Sequence, residues 1–243
     1  MAESRARVTG LRRVAAETLE LTLVPVSPAR FAFRPGQFVS LACGPDAAGK
    51  LQRRSYSLAS PASATDRATL LVKLVPGGHG SAYVAGLRPG DEVGFTGPMG
   101  FFVPALTHPG DVVFAITGAG LAPVVPMLCE LLARRESGRV VLHWGCRHEH
   151  DLFYREWLEE LATRTRLELT LHLSQPGPGW TGARGRITDA VVAEAAPGRD
   201  FYLCGSGELV RDLTAALVAA GCDRKRQIHS EIFYPVRKAG TAP

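Results

Sequence analysis

The chain has 243 residues, enough for one large domain or two smaller ones, each with its own core. Hydrophobic content of 46% with 21% charged residues excludes a disordered chain, and no apolar run approaches the ~20 residues that span a bilayer. Net charge is +5, but only 7% of residues are aromatic and no nucleic-acid motif appears, so the excess cation points to an acidic protein partner or a phosphorylated ligand. The N-terminus leads straight into a strand pattern without an apolar signal core, so a cytoplasmic protein is expected. Five cysteines, at 43, 129, 146, 204 and 222, show no Cys-x-x-Cys spacing, which argues against zinc, an iron–sulfur cluster or a disulfide framework.

The first hundred residues read as β-structure. Leu19, Leu21 and Leu23 alternate with Glu20 and Thr22, the period-2 pattern of a half-buried strand. Similar runs at about 6–14, 37–42, 53–59, 69–75 and 91–97 are separated by Pro-Gly and Gly-Pro pairs. Such spacing fits a closed antiparallel barrel or a sandwich. Within it, Arg53-Arg54-Ser55-Tyr56-Ser57-Leu58 sets Arg54, Tyr56 and Leu58 on one face and Ser55 and Ser57 on the other. A guanidinium fork at Arg54 matches phosphate oxygens, and Tyr56 offers a flat stacking surface. An edge strand with a surface Arg and a half-buried Tyr has the same pattern.

Gly77-Gly78-His79-Gly80-Ser81 then leads into a short helix, with Ser81 expected near the N-cap. Glycines admit a ligand close to the backbone, and a helix N-terminus presents free N–H groups, together a phosphate seat. A capped helical turn after a glycine-rich hairpin is the bland alternative. Gly97-Pro98-Met99-Gly100 closes the β-region, and residues 104–110 form the expected domain boundary.

From 111 onward the period changes. Val112 to Ile116 is a continuous apolar run, as in a strand buried on both faces of a parallel sheet. It enters Thr117-Gly118-Ala119-Gly120-Leu121-Ala122-Pro123, with Pro123 expected at the first position of a helix running to about 135. Strand, glycine turn and helix place pyrophosphate oxygens at a helix N-terminus. Strands at 140–145, 167–173, 201–203 and 227–233 alternate with helices at 151–161, 188–195 and 208–220, a doubly wound sheet. Its ligands bind beyond the strand C-terminal ends, where 117–123, 145–147, 174–175 and 204–207 all fall.

Taken in order, Arg54-x-Tyr56-Ser57, Gly78-x-x-Ser81, Gly97-Pro98-Met99-Gly100, Thr117-Gly-x-Gly-x-Ala-Pro123, Cys204-Gly205 and Glu231-Ile232-Phe233-Tyr234 resemble the motifs of the ferredoxin–NADP reductase family. The resemblance covers about residues 5 to 234. It implies a Greek-key antiparallel β-barrel for FAD over residues 1–105 and a doubly wound α/β domain for NADP(H) or NAD(H) over 106–243. It implies that Arg54 and Ser81 hold the FAD pyrophosphate, with Gly78, Gly80 and Lys73 in the cofactor-binding set, that Tyr56 stacks on the flavin and that Ser57 approaches flavin N5. Thr117, Gly118, Gly120 and Pro123 would shape the dinucleotide loop, with Cys204 and Gly205 beside the nicotinamide. Ser57, Cys204 and Glu231 form the implied catalytic set. Phe233, or else Tyr234, would cover the flavin. The chain runs nine residues past Tyr234, where plastid-type members end at the aromatic.

Arg147 and Arg186 match two of the positions at which family members read the 2′-phosphate, with Arg184 close by and Ser174 in the cofactor-binding set, which leans toward NADP(H), although Ser174 is followed by Gln175, where NADPH-specific relatives usually carry Arg. The activity implied is hydride transfer between NAD(P)H and FAD, then single-electron transfer to a separate acidic carrier: a ferredoxin, a flavodoxin or an oxygenase component. Alternatives are an NADH-dependent oxygenase reductase component, a free-flavin or siderophore reductase, and a non-catalytic nucleotide-binding subunit.

Overall fold

A computed structural model describes residues 3–104, 110–134 and 138–233. Tyr234 and the expected boundary at 105/106 lie outside the described residues. Six strands build the first half: β1 (Ser4–Ala15), β2 (Thr18–Ser27), β3 (Phe38–Pro45), β4 (Leu51–Ser57), β5 (Ala68–Lys73) and β6 (Glu92–Met99). They pair antiparallel in the order β4-β3-β6-β1-β2-β5. The two edges meet through a bridge between Leu58 and Leu70, and the Ala59 N–H donates to the Thr69 carbonyl at 2.7 Å, which closes the barrel. The alternating leucines account for its inside: Leu19, Leu21 and Leu23 all point into the apolar centre with Leu41, Leu58 and Leu70. Helix α1 (His79–Gly86) plugs one end through Val84.

The second half is a parallel sheet: β7 (Val112–Thr117), β8 (Val140–Cys146), β9 (Leu167–Leu173), β10 (Ala183–Arg184), β11 (Asp200–Ser206) and β12 (Ile228–Phe233), ordered β10-β9-β8-β7-β11-β12. Helices α2 (Leu121–Ala133) and α3 (Arg155–Arg164) pack on one face, and α4 (Thr188–Val192) and α5 (Gly207–Ala219) on the other. The order of strand addition reverses between β7 and β11, which run parallel, and this makes their C-terminal ends the topological switch point. The core on the α2 face is continuous with the barrel: Ala59, Leu71 and Phe102 are buried in it with Leu121, Met127 and Tyr202. Phe102 meets Tyr202 edge-on at 5.6 Å. Burying one such ring is worth about 1.5–3 kcal/mol, so the seam is a cohesive surface and not a solvated gap.

Three local expectations need correction. The helix after the glycines starts at His79, so Ser81 is its third residue rather than its cap, and the Ser81 hydroxyl accepts the Val75 N–H at 2.8 Å to close the preceding loop. A 3-10 turn over Gly118–Gly120 precedes α2, which moves Pro123 from the first to the third helical position. The helix expected from 151 starts at Arg155: residues 149–151 form a separate 3-10 turn, capped by Asp151 accepting the His148 N–H, and Tyr154 breaks the path with φ of 60°.

Candidate active site

On the barrel side, the site is built by β4 lying against the start of α1. A Cβ added at Gly80 would stand 2.7 Å from the Arg54 side chain and 2.8 Å from the Tyr56 hydroxyl. Only a residue without a side chain lets the helix start come so near. The first-turn N–H groups at 79–81 have no acceptor within the helix, and they sit beside the stem of Arg54, whose guanidinium makes no ion pair among the described residues. Arg54 reaches only neutral oxygens, the Arg53 carbonyl at 2.7 Å and Gln52 Oε1 at 3.4 Å. Cation, helix N-terminus and stacking ring therefore converge, and the donor set fits a pyrophosphate joined to a flat ring system. Burial pushes the Tyr56 phenol up, which keeps it a neutral hydrogen-bonding group.

On the other side, the loops after β7 and β11 touch backbone to backbone. A Cβ at Gly120 would stand 2.5 Å from the Cys204 carbonyl oxygen, and one at Gly205 would overlap the Thr117 hydroxyl. The Trp144 indole N–H donates to the Gly118 carbonyl at 3.1 Å and holds the loop from below. Thr117, Gly118, Gly120, Cys204 and Gly205 thus form one lip of the switch-point crevice.

The two halves meet at Ser57 and Glu231. Ser57, at the end of β4, donates to Glu231 Oε1 at 2.9 Å across 174 residues of sequence. The β11–β12 register sets Cys204 opposite Glu231 and Ser206 opposite Phe233. Burial raises the Glu231 carboxyl above its ordinary range, against the opposing effect of the Ser57 bond. Cys204 is fully buried, and burial, with the nearby Glu231 charge, pushes its thiol well up. It is a neutral thiol, not a thiolate nucleophile. Phe233 is half-buried, packed against the α2-face core.

The remaining expected residues are more dispersed. Lys73 lies at 3.9 Å from Glu17 and throws its charge toward Cys146 at the end of β8. Arg147 follows β8 and Ser174 follows β9, and their loops are tied by the Gln175 N–H donating to the Arg147 carbonyl at 2.9 Å. Arg186 is held by Glu208 at 3.2 Å, in the first turn of α5. Sequence reasoning missed an open cleft of about 370 Å³ lined by Phe38, Gly100, Phe101, Phe102, His229, Ser230 and Glu231. Phe101 stands 99% exposed at its mouth. A Phe-Phe pair after a glycine turn was the one available signal.

Residues 6–103 match the oxidoreductase FAD-binding domain family and residues 114–214 the oxidoreductase NAD-binding domain family. Ferredoxin–NADP reductase B of Sorangium cellulosum (strain So ce56) is 33% identical over 216 residues, 84% of this chain and 87% of that protein. The propane 2-monooxygenase reductase component of Mycolicibacterium smegmatis (strain ATCC 700084 / mc(2)155) is 31% identical over 94% of this chain and 67% of its own length. The phenol 2-monooxygenase reductase component of Pseudomonas sp. (strain CF600) is 34% identical over 83% of this chain, which spans only 58% of it. Among solved structures, the Amycolatopsis cytochrome P450 reductase superposes with a TM-score of 0.86 at 31% identity, over 96% of this chain and 70% of that one. A barrel with an FAD seat joined to a doubly wound domain with a dinucleotide crevice defines a flavin- and nicotinamide-dependent oxidoreductase. The chain belongs to the ferredoxin–NADP reductase family.

Proposed function

We propose that the chain passes a hydride between NAD(P)H and FAD, and single electrons between FAD and a separate protein carrier such as a ferredoxin, a flavodoxin or an oxygenase component. The observation that carries this reading is the Ser57–Glu231 hydrogen bond, because it brings the barrel's flavin strand to within one register step of Cys204 on the dinucleotide side. FAD supplies the switch from two-electron to one-electron chemistry. The chain supplies place and electrostatics. Arg54 and the N–H groups opening α1, with Gly78, Gly80 and the Ser81 hydroxyl, hold the pyrophosphate. With FAD bound, Tyr56 would stack on the flavin and Phe233 would cover it. Ser57 and Glu231 hold and move a proton at the flavin edge, a task suited to a carboxyl raised by burial. Thr117, Gly118, Gly120 and Pro123 seat the dinucleotide, and the neutral Cys204 with Gly205 packs beside the nicotinamide.

The carrier is acidic in this reading. Arg34 precedes the cleft strand β3, and Arg224 and Lys225 precede β12. None of the three makes an ion pair among the described residues, and they lie a few residues in sequence before Phe38 and His229, on the two chain segments that line the cleft. NADPH is preferred over NADH on the strength of Arg147, which is also without an ion pair among the described residues. The pairing of Arg186 with Glu208 counts against it. NADH use within an oxygenase system is the second reading, favoured by the names of the propane and phenol relatives. Among the described residues no helix is long and apolar enough to cross a membrane, and the cytoplasm is the proposed setting.

Anaerobic mixing of the purified protein, after incubation with FAD, with NADPH and with NADH tests the reading. Bleaching of the flavin band is expected, with a higher kcat/KM for NADPH. A protein that takes up no flavin would sink the proposal, and equal kcat/KM values would sink only the preference.

A further inference from the structure

A second polar bond crosses between the halves, far from the flavin seat. Tyr154, in the segment between β8 and α3, donates its hydroxyl to Glu20 Oε2 on barrel strand β2. Glu20 does not move freely, because Arg12 grips both of its oxygens at 2.9 Å through Nε and Nη2, and its side chain is only 14% exposed. The tyrosine is equally constrained. Its ring meets Phe153 at 5.6 Å and Trp157 at 6.2 Å, both edge-on. Among the described residues it is the one non-glycine with positive φ. A bulky residue in that region is strained and persists where the surroundings over-determine it. A surface turn that needed positive φ would be served better by Gly or Asn. Here the strained turn aims a phenol across the domain seam.

The sheet order gives the bond a purpose. Tyr154 follows β8, and Glu231, which accepts from Ser57, lies on β12. Between those strands lie β7 and β11, whose ends form the crevice of Thr117, Gly120, Cys204 and Gly205. The two cross-domain bonds therefore come from elements on either side of the two crevice strands, one from the segment after β8 and one from β12. The buried seam around Phe102 and Tyr202 holds the two domains together, and polar bonds from both sides of the crevice strands add directional restraint on the angle between them.

We propose that Tyr154, anchored on Glu20, is a positioning residue for hydride transfer: it sets the angle at which the nicotinamide domain presents its crevice to the barrel. It touches neither cofactor, and its effect runs through domain orientation. Transfer between two bound rings is steep in distance, and a misplacement of ~1 Å from a remote change costs on the order of a hundredfold. This inference rests on the hydride-transfer reading above.

The test is Tyr154→Phe, which keeps the ring and removes the bond. With FAD bound, the limiting rate of flavin reduction at saturating NADPH or NADH should fall about tenfold or more, with a larger isotope effect from reductant deuterated at C4. FAD affinity and the dithionite-reduced spectrum should match wild type. Hydrogen exchange at 10–24 and 151–158 should quicken without any nucleotide. Glu20→Gln retains an oxygen acceptor and should keep most of the rate, whereas Glu20→Ala should match Tyr154→Phe. The double variant should lose little more than either single one. A wild-type limiting rate in Tyr154→Phe, a loss that tracks FAD content alone, or unchanged exchange at those segments would each overturn the proposal. If Tyr154→Phe does not fold, equal rates in Glu20→Gln and Glu20→Ala overturn it. Should the wild-type flavin not be reduced by either nucleotide, the hydride reading fails, and the exchange comparison still decides whether the bond fixes the domains.

Discussion

Ser57 and Glu231 are 174 residues apart in sequence and share a 2.9 Å hydrogen bond at the line where the barrel meets the parallel sheet. The carboxyl is raised because burial disfavours its charge more than the Ser57 hydroxyl relieves it. The folded protein then binds a proton that the unfolded chain has already released, so stability declines as pH rises from the ordinary carboxylate range through the raised value. Glu231→Gln removes that cost. Its unfolding midpoint should exceed wild type at neutral pH and converge with it near pH 4. Turnover with a protein acceptor should fall on the order of a hundredfold, because Gln cannot carry the proton. Calorimetry at the two pH values, set beside steady-state turnover, checks both halves.

The seat formed by Arg54, Tyr56 and the start of α1 predicts a different split. Gly80→Ala places a methyl 2.7 Å from Arg54 and 2.8 Å from the Tyr56 hydroxyl, so both side chains must move. Both contacts are with side chains and not with main chain, so the barrel should still fold with Arg54 and Tyr56 displaced. FAD binding should weaken by about tenfold or more, as it should for Arg54→Lys, which loses the planar fork. Titrating apoprotein with FAD and following flavin fluorescence measures this. Unchanged affinity in both variants would remove Arg54 from the cofactor site.

Short-range patterns were legible, and long-range bonds were not. Leu19, Leu21 and Leu23 alternate because one face of β2 is inside a barrel, and Val112 to Ile116 runs unbroken because β7 is buried on both faces. Those periods carry the two-domain fold without knowledge of any partner strand. The glycines of both nucleotide loops were legible for the same reason, since close approach leaves a mark on the residue type itself. The two-residue β10 left no period to read. Ser81 was read as a cap because its hydroxyl's partner, Val75, lies on the far side of a loop whose shape no pattern states. Tyr154 and Glu20 look like a helical aromatic and a solvent-facing strand residue. Only their juxtaposition across the seam gives them a role.

At the crevice the close contact is with main chain, and the expected outcome is harsher. A Cβ at Gly120 meets the Cys204 carbonyl at 2.5 Å, and both loops are fixed by parallel ladders on either side. Gly120→Ala should therefore destabilise the second domain by about 1–3 kcal/mol, the usual cost of forcing extra volume into a packed site. The KM for NAD(P)H should rise while FAD affinity stays at the wild-type level. Thermal unfolding followed by tryptophan fluorescence reports the domain, because Trp144, Trp157 and Trp180 all lie in it. A variant as stable as wild type would mean that the β7 and β11 loops can part without cost.

A buried histidine pair gives this domain its own acid sensitivity. His143 on β8 and His172 on β9 share a 3.2 Å hydrogen bond, and both are almost fully buried. Burial, and then the neighbouring His143, lower His172 to about 4, and burial also lowers His143. His172 is therefore neutral in the folded protein at pH 6 and His143 binds its proton less readily than a free histidine, whereas unfolded histidines near 6.5 take up protons. The unfolded state gains protons first, so stability is complete above about pH 6.5 and drains as pH falls toward 4. His172→Gln keeps a hydrogen-bonding group of similar reach and cannot charge. Its unfolding midpoint should depend less steeply on pH between 6.5 and 4 than that of wild type, while the barrel's affinity for FAD over the same range is unchanged. Parallel slopes for the two proteins in that window would show that the pair is charged, or solvated, in the folded state.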